Sequence, residues 1–330
     1  MKNKTLLSIA MFLLLSVILV ACGGNDKEAG SEEDASENGE KPEFLSLLTG
    51  GTSGTYYPLG GGIAKVITDE VGISTDALSS NASADNIYAL HDDEAELAFT
   101  QTDVASYAEE GINTFDEPIT DVLALGSLYP ETVQIVTMGD SGVTSIEELK
   151  GKKVAVGAPG SGTYINAEQI LEVHDMTMDD IEGQNLDFAE SAGGIKDGNI
   201  DAAFITAGAP TGAVEELQAN SEVLILEVTE EKADELIEKY PYYTTDVIEE
   251  GTYGLKEDVS TVAVLAMLVV KDDIAEDVVY DITKALYENA ENIAHGKADL
   301  IKAETGLDGI GIDVHPGAQK YFDEVGVEQE

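Results

Sequence analysis

Residues 44–71 read FLSLLTGGTSGTYYPLGGGIAKVITDEV. An apolar, strand-like stretch, Phe44–Leu48, gives way to small residues, Gly50-Gly51-Thr52-Ser53-Gly54-Thr55-Tyr56-Tyr57, and then to a helix-like stretch over 58–71. The proline at its head stands where a first helical turn tolerates one. The same order recurs 108 residues later: a strand over 153–156, the loop Gly157-Ala158-Pro159-Gly160-Ser161-Gly162, and a helix over 163–174. The tetrapeptide Ser-Gly-Thr-Tyr stands at both junctions, at 53–56 and 161–164. Downstream, Ala98-Phe99-Thr100-Gln101-Thr102-Asp103 is echoed by Ala203-Phe204-Ile205-Thr206-Ala207-Gly208. Short apolar runs alternate with longer amphipathic ones throughout, which predicts an α/β architecture with mostly parallel sheets. A repeated strand–loop–helix unit within it predicts two similar lobes and a cleft between them.

Two β-rich segments without helix breakers, 133–137 and 261–270, are placed to cross between the lobes. Lobe 1 is then 44–137 with 262–330, and lobe 2 is 138–261. The alternative is two consecutive domains split near Gly139, which hands the C-terminal helical residues such as 278–293 to the second domain and makes it much the larger.

The N-terminus carries Lys2 and Lys4, an apolar run from Leu6 to Ala21, and Leu19-Val20-Ala21-Cys22. This reads as a lipoprotein signal peptide over 1–21 with lipidation at Cys22, the only cysteine. The run is shorter than the roughly 20 residues of a spanning helix, so an uncleaved anchor is the lesser reading. Residues 22–43 hold Gly, Ser and acids with no large apolar side chain, an acidic disordered tether. The expected address is the extracellular face of the cell membrane, in a cell of Gram-positive type.

The formal net charge is −48, which disfavours nucleic acid and anionic lipid as partners. Such a surface suits high salt or high pH; at roughly 1 M salt the Debye length is about 3 Å and self-repulsion is screened. All 17 basic residues are lysine, so no guanidinium fork is available for an anion. A Gly-rich loop leading into a helix supplies unpaired N–H groups and the positive end of the helix dipole instead. The hydroxyls of Ser53, Thr55, Ser161 and Thr163 either donate to such an anion or cap their helices. Gln101 and Asp103 stand at a strand-to-helix junction, where Asp103 either receives a ligand ammonium or caps. Thr206 and Gly208 occupy the matching turn of the second unit, Gly208 permitting close backbone approach. With Gly54, Tyr56 and Gly162 these form the candidate ligand-binding set. Tyr56, Tyr57, Tyr164 and Tyr253 are candidate cleft walls, and Lys65 or Lys196 a candidate assisting cation.

Neither loop has nucleotide-binding spacing, and no calcium loop or HExxH occurs, so no cofactor or metal is expected. Gly139-Asp140-Ser141-Gly142 matches the nucleophile segment of trypsin-like proteases, which are built from antiparallel barrels; a secreted hydrolase using Ser141 or Ser161 is the rival from another class.

Taken in order, Thr49-Gly50-Gly51-Thr52-Ser53-Gly54-Thr55-Tyr56-Tyr57-Pro58-Leu59-Gly60, Gln101-Thr102-Asp103-Val104-Ala105, Tyr129-Pro130-Glu131, the loop from Val156 to Thr163, Ala207-Gly208-Ala209-Pro210 and His315-Pro316-Gly317-Ala318 resemble a TAXI-type solute receptor of a tripartite ATP-independent periplasmic (TRAP) transporter. The resemblance spans residues 44–321. It implies a two-lobed periplasmic-binding-protein fold, type II-like, with no catalytic residue. It implies a small carboxylate ligand such as glutamate, 2-oxoglutarate or a related dicarboxylate or 2-oxoacid, delivered to a TRAP membrane permease. The contacts it implies fall on Ser53, Thr55, Tyr56, Gln101, Ser161, Thr163 and Gly208. The missing arginine agrees with this branch, whereas the lipobox departs from the usual soluble receptor. The nearest rival is a receptor of an ABC importer for phosphate or another oxyanion.

Overall fold

The computed structural model describes residues 41–329. The signal peptide, Cys22 and the tether to residue 40 lie outside the described residues. Ten strands follow in chain order: β1 (Phe44–Leu48), β2 (Ser74–Leu78), β3 (Leu97–Gln101), β4 (Val122–Met138), β5 (Lys153–Ala155), β6 (Glu182–Gln184), β7 (Ala202–Ala207), β8 (Val223–Leu226), β9 (Thr244–Ile248) and β10 (Val259–Lys271). Nine α-helices are interleaved among the described residues: α1 (Tyr56–Val66), α2 (Ser83–His91), α3 (Thr102–Glu110), α4 (Gly162–Val173), α5 (Phe188–Lys196), α6 (Gly212–Gln218), α7 (Glu230–Lys239), α8 (Glu276–Asn289) and α9 (Pro316–Val325).

The strands form one ladder in the order β2-β1-β3-β10-β4-β7-β5-β6, with β8 on β4 and β9 on β10. Among these strands, parallel pairing is confined to the outer trios, β2-β1-β3 and β6-β5-β7. Every pairing of β4 or β10 with another of these strands is antiparallel, and Ala124 of β4 adds an isolated parallel bridge to Val314. The expectation of mostly parallel sheets therefore holds for the helix-connected strands and not for the pair between them, because two strands that return through both halves of the molecule run against their neighbours.

These strands are longer than the sequence reading allowed. β4 pairs with β10 over its first part and with β7 from Thr132 to Thr137. β10 pairs with β9 from Val259 to Ala263 and with β3 from Ala266 to Val270. Pro130 hid the continuity of β4: it reads as a strand breaker, yet it sits exposed at the exchange of partners, where a missing N–H costs little. The buried core changes over at the same place. One cluster draws on residues 45–129 and 266–322, with Ile165 of α4 reaching across to it. Two others draw on residues 133–264.

Helix α1 shows why its glycines are there. It starts at Tyr56, so Pro58 falls in the first turn, where N–H groups have no intrahelical partner. A Cβ at Gly60 would lie 2.6 Å from Thr49 Cγ2, and one at Gly62 would lie 2.3 Å from Ile293 Cγ2, whereas Gly61 faces open space. Two of three glycines thus allow the helix to press onto the β1 loop and the C-terminal segment, despite costing roughly 1 kcal/mol each in helix propensity.

That contrast predicts opposite effects at adjacent positions. Gly61→Ala should stabilise the protein by about 0.5–1 kcal/mol. Gly62→Ala should instead destabilise it by about 1–3 kcal/mol, since Ile293 is β-branched and gives way poorly. Urea denaturation midpoints of the two variants decide the matter.

Candidate ligand-binding cleft

Both Gly-rich loops open onto one cavity of about 100 Å³, room for several water-sized groups rather than one. From one side come Gly54, Thr55 and Tyr56, entering α1, and Gln101, which ends β3 and precedes α3. From the other come Ser161, Gly162 and Thr163, entering α4, and Thr206 of β7. Helices α1 and α4 thus both present their N-termini to the cavity, with the first-turn N–H groups that no intrahelical bond satisfies.

The cleft is closed. Thr55 Oγ1 donates to the Gly208 carbonyl at 3.2 Å, and Ala213 N–H donates to the Ser53 carbonyl at 3.1 Å. At the other rim the Gly160 carbonyl accepts from Ala84 N–H at 2.9 Å and Asp85 N–H at 3.2 Å. Behind the cavity, α4 holds α3: Asn166 Nδ2 donates to Asp103 Oδ2 at 3.2 Å, and Gln169 Nε2 to Tyr107 Oη at 2.8 Å. Gly162 has no side chain to resist this approach; a Cβ there would lie 2.0 Å from Gln101 Oε1.

The other sequence candidates lie off the cavity lining. The Ser53 hydroxyl is buried with no hydrogen-bond partner among the described residues. Asp103 is fully buried behind the cavity on Asn166. At Gly208 the space a side chain would take is filled by the stem of Lys297, 2.8 Å from an ideal Cβ. The two matched loops also differ in detail. Ser161 caps α4, its hydroxyl accepting from Tyr164 N–H at 3.3 Å, whereas the Thr55 hydroxyl makes no cap and spans the cleft.

Of the four tyrosines only Tyr56 lines the cavity, its ring stacked on Phe99 with centroids 4.7 Å apart. Tyr253 is buried in the core of residues 133–264, donating to Gln134 Oε1. Lys65 pairs with Asp69 on an exposed face, and Lys196 is exposed at the end of α5. Ser141 bonds Thr137 and Val143 N–H, and neither it nor Ser161 meets a histidine among the described residues. A serine nucleophile with an adjacent base is therefore not assembled here.

Sequence reasoning missed Glu131, Ser83, Asp187 and Phe188, all of which line the cavity. Glu131 had a legible signal, the only charged side chain along β4. Tyr56 Oη donates to its Oε2 at 2.7 Å, and Tyr129 Oη lies 3.5 Å from Oε1. Asp187 caps α5, accepting from Glu190 N–H at 2.8 Å.

Burial dominates the electrostatics. It pushes the Glu131 carboxyl up to about 8, against hydrogen bonds from Tyr56, Gln101 and Tyr129 that favour the ionised form and with a further push from the Asp103 charge. Burial likewise raises Asp103 to about 7, opposed by the N–H groups of Val104 and Asp103 and by Asn166. It lifts Tyr56 well above the usual phenol range, Glu131 adding to the effect.

The model of the NMT1-like family matches residues 47–326. Among solved structures the chain is similar to a periplasmic transporter, with a TM-score of 0.53 and 13% identity over 86% of this chain and 92% of that one. It is similar to a protein from Bordetella bronchiseptica RB50, with a TM-score of 0.52 and 17% identity over 86% and 81%. A third is the alkanesulfonate-binding protein SsuA from Xanthomonas axonopodis pv. citri, at 0.47 and 14% over 86% and 85%. At these identities the likeness is one of fold, a mixed α/β fold of the periplasmic-binding-protein kind, as expected from sequence.

The raised carboxyls make a stability prediction. Between the ordinary glutamate value of 4.5 and about 8, the native state holds a proton on Glu131 that the unfolded chain has released. Its stabilising effect is complete at the acid end and lost as pH rises through about 8, so unfolding free energy should fall across that window, Asp103 adding with the same sign. In Glu131→Gln the decline between pH 5 and pH 8 should be shallower, as urea midpoints at several pH values would show.

Proposed function

The chain belongs to the NMT1-like family, and from that membership and the closed cleft we propose that it is an extracytoplasmic solute-binding receptor for a small carboxylate such as glutamate, 2-oxoglutarate or a related dicarboxylate or 2-oxoacid. The observation that carries this is the meeting of the two Ser-Gly-Thr-Tyr loops, each at a helix N-terminus, on one buried cavity. Each helix end is worth roughly 0.3–1 kcal/mol to an anion at an exposed site and up to about 2 kcal/mol when partly buried. Glu131, kept mostly protonated near pH 7 by burial, does not oppose the anion.

In this reading the protein is a clamp. Lobe 1 (44–137 and 262–330) and lobe 2 (138–261) part by flexing β4 and β10 where they exchange partners, and ligand is held when Thr55 regains the Gly208 carbonyl. Cys22 carries the lipid, and the tether keeps the clamp near a TRAP permease, raising its effective concentration there. The resemblance of the Gly-rich segments supports the TRAP assignment. A receptor for an ATP-driven importer would use the same clamp, and transport energetics separate the two: uptake that survives ATP depletion and collapses with the ion gradient belongs to the TRAP reading.

The ligand class is tested by titrating the purified protein with glutamate, 2-oxoglutarate and phosphate and following heat. Saturable heat with a carboxylate is expected, and a response to phosphate alone overturns the reading. Thr55→Ala combined with Thr163→Ala should weaken binding about a hundredfold, near 2.7 kcal/mol, with the melting temperature little changed. Unchanged affinity would reduce the loops to caps.

A further inference from the structure

We propose that Asp103 is a proton-operated latch: the receptor closes on its ligand as the Asp103 carboxylate takes up a proton from solvent, and opens as it gives that proton back. The inference rests on the clamp reading above and concerns how the clamp is held shut rather than what it holds.

The contact lies behind the cavity, where α3 meets α4. A chain of hydrogen bonds there joins residues of 44–137 to residues of 138–261. Asn166 Nδ2 donates to Asp103 Oδ2 at 3.2 Å and to Tyr243 Oη at 2.7 Å. Tyr243 Oη donates to Gln169 Oε1 at 2.7 Å, and Gln169 Nε2 to Tyr107 Oη at 2.8 Å. All of these side chains are buried. Helix α3 follows β3 and α4 follows β5, so each moves with its own half of the molecule. The halves part only by breaking the bonds to Asp103 and Tyr107. A purely apolar contact would resist opening at every pH, whereas these groups trade their partners for water.

The hydrogen-bond inventory points to the proton. Asp103 Oδ1 and Asn166 Oδ1 are both buried, and neither has a hydrogen-bond partner among the described residues. Two bonded side chains thus bring two unmet acceptors into one dry contact. A carboxyl proton turns one of them into a donor. The groups that sense the Asp103 charge are Tyr107 on its own helix, Glu131 on β4 and Tyr243 ahead of β9, and none is a cation. From α4 comes the Asn166 amide, and no charged side chain of α2, β3 or β10 acts on it among the described residues. Burial therefore holds the carboxyl at about 7 in the closed form, and opening to water returns it toward the ordinary 3.8. Between those values closure takes up a proton. Ligand affinity is highest at the acid end and falls as pH rises through about 7. By reciprocity, ligand binding draws the proton in.

The test is the pH profile of Asp103→Asn, whose amide resembles the protonated acid and keeps an oxygen for Asn166. Purified wild type and variant are titrated calorimetrically from pH 5 to pH 9 with L-glutamate and with 2-oxoglutarate. Titration of the ligand, and of Glu131, which acts in the same sense, cancels in the ratio of the two affinities. That ratio, variant over wild type, should grow about fiftyfold between pH 5 and pH 7 and level off above pH 8. At pH 8 the variant should bind the tighter, which a purely structural Asp103 does not allow. At pH 6, buffers of different ionisation enthalpy should show wild type taking up close to one proton more per ligand than the variant. If Asp103→Asn folds poorly, wild type alone carries the test: uptake above one proton at pH 6 exceeds what Glu131 can supply, and uptake of one or less overturns the latch. A flat ratio overturns it as well and leaves the carboxylate receptor standing. If neither acid binds, the carboxylate reading falls and small-angle scattering of the unliganded proteins decides the latch. Asp103→Asn should then be the more compact at pH 8, and equal radii of gyration overturn the inference.

Discussion

The antiparallel pairing of β4 with β10 is the constraint on which the rest of the molecule depends. Along β4 the partner changes from β10 to β7, and along β10 it changes from β9 to β3, both within a few residues. Each exchange sends one continuous strand from the core of residues 45–129 and 266–322 into the core of residues 133–264. Two parallel trios are thereby hung on either side of a common pair of rods, which places the strand-to-helix loops of both trios over the same point. Glu131 stands at that point on β4. A side chain there is buried wherever the trios close, and it meets whatever lies between them.

The acidic exterior and the raised carboxyls of the interior are two outcomes of one rule. Outside, the charges are hydrated and screened by salt, so a net charge of −48 costs little per residue. Inside, desolvation governs: Glu131 and Asp103 are driven toward their protonated forms even though hydrogen bonds favour the charged ones. The same dryness makes backbone N–H groups effective anion ligands without any arginine. It also makes the unmet oxygens of Gln101 and Thr206 expensive in the absence of a donor.

Much of the architecture could be read in the chain. Phe44–Leu48 is a strand as its short apolar run implies, and the helices after both Ser-Gly-Thr-Tyr copies begin within two residues of the expected place. These are local matters, decided by side-chain period and by glycine and proline. β2 was missed because Ser74–Leu78 is an edge strand with too few apolar residues to mark it. The first half of β4 was missed because Pro130 looks like a stop until its position at the partner exchange is known. In the cleft, loop residues that repeat were conspicuous, whereas Ser83, Glu131, Asp187 and Phe188 belong to no repeat and come from three separate elements, α2, β4 and the start of α5.

By itself the sequence determined the class of fold, the duplication of the strand–loop–helix unit and the absence of any guanidinium, because composition and periodicity are properties of neighbouring residues. Only the tertiary structure decided which hydroxyl caps and which spans. Thr55 and Ser161 are the N-cap residues of α1 and α4, yet Ser161 closes its own helix and Thr55 reaches the Gly208 carbonyl across the cleft. It alone decided that the cavity holds carboxylates and no cation, since that depends on which distant segments burial brings together. A repeat predicts that two loops are alike; what faces them is set by how the long strands fold the halves onto each other.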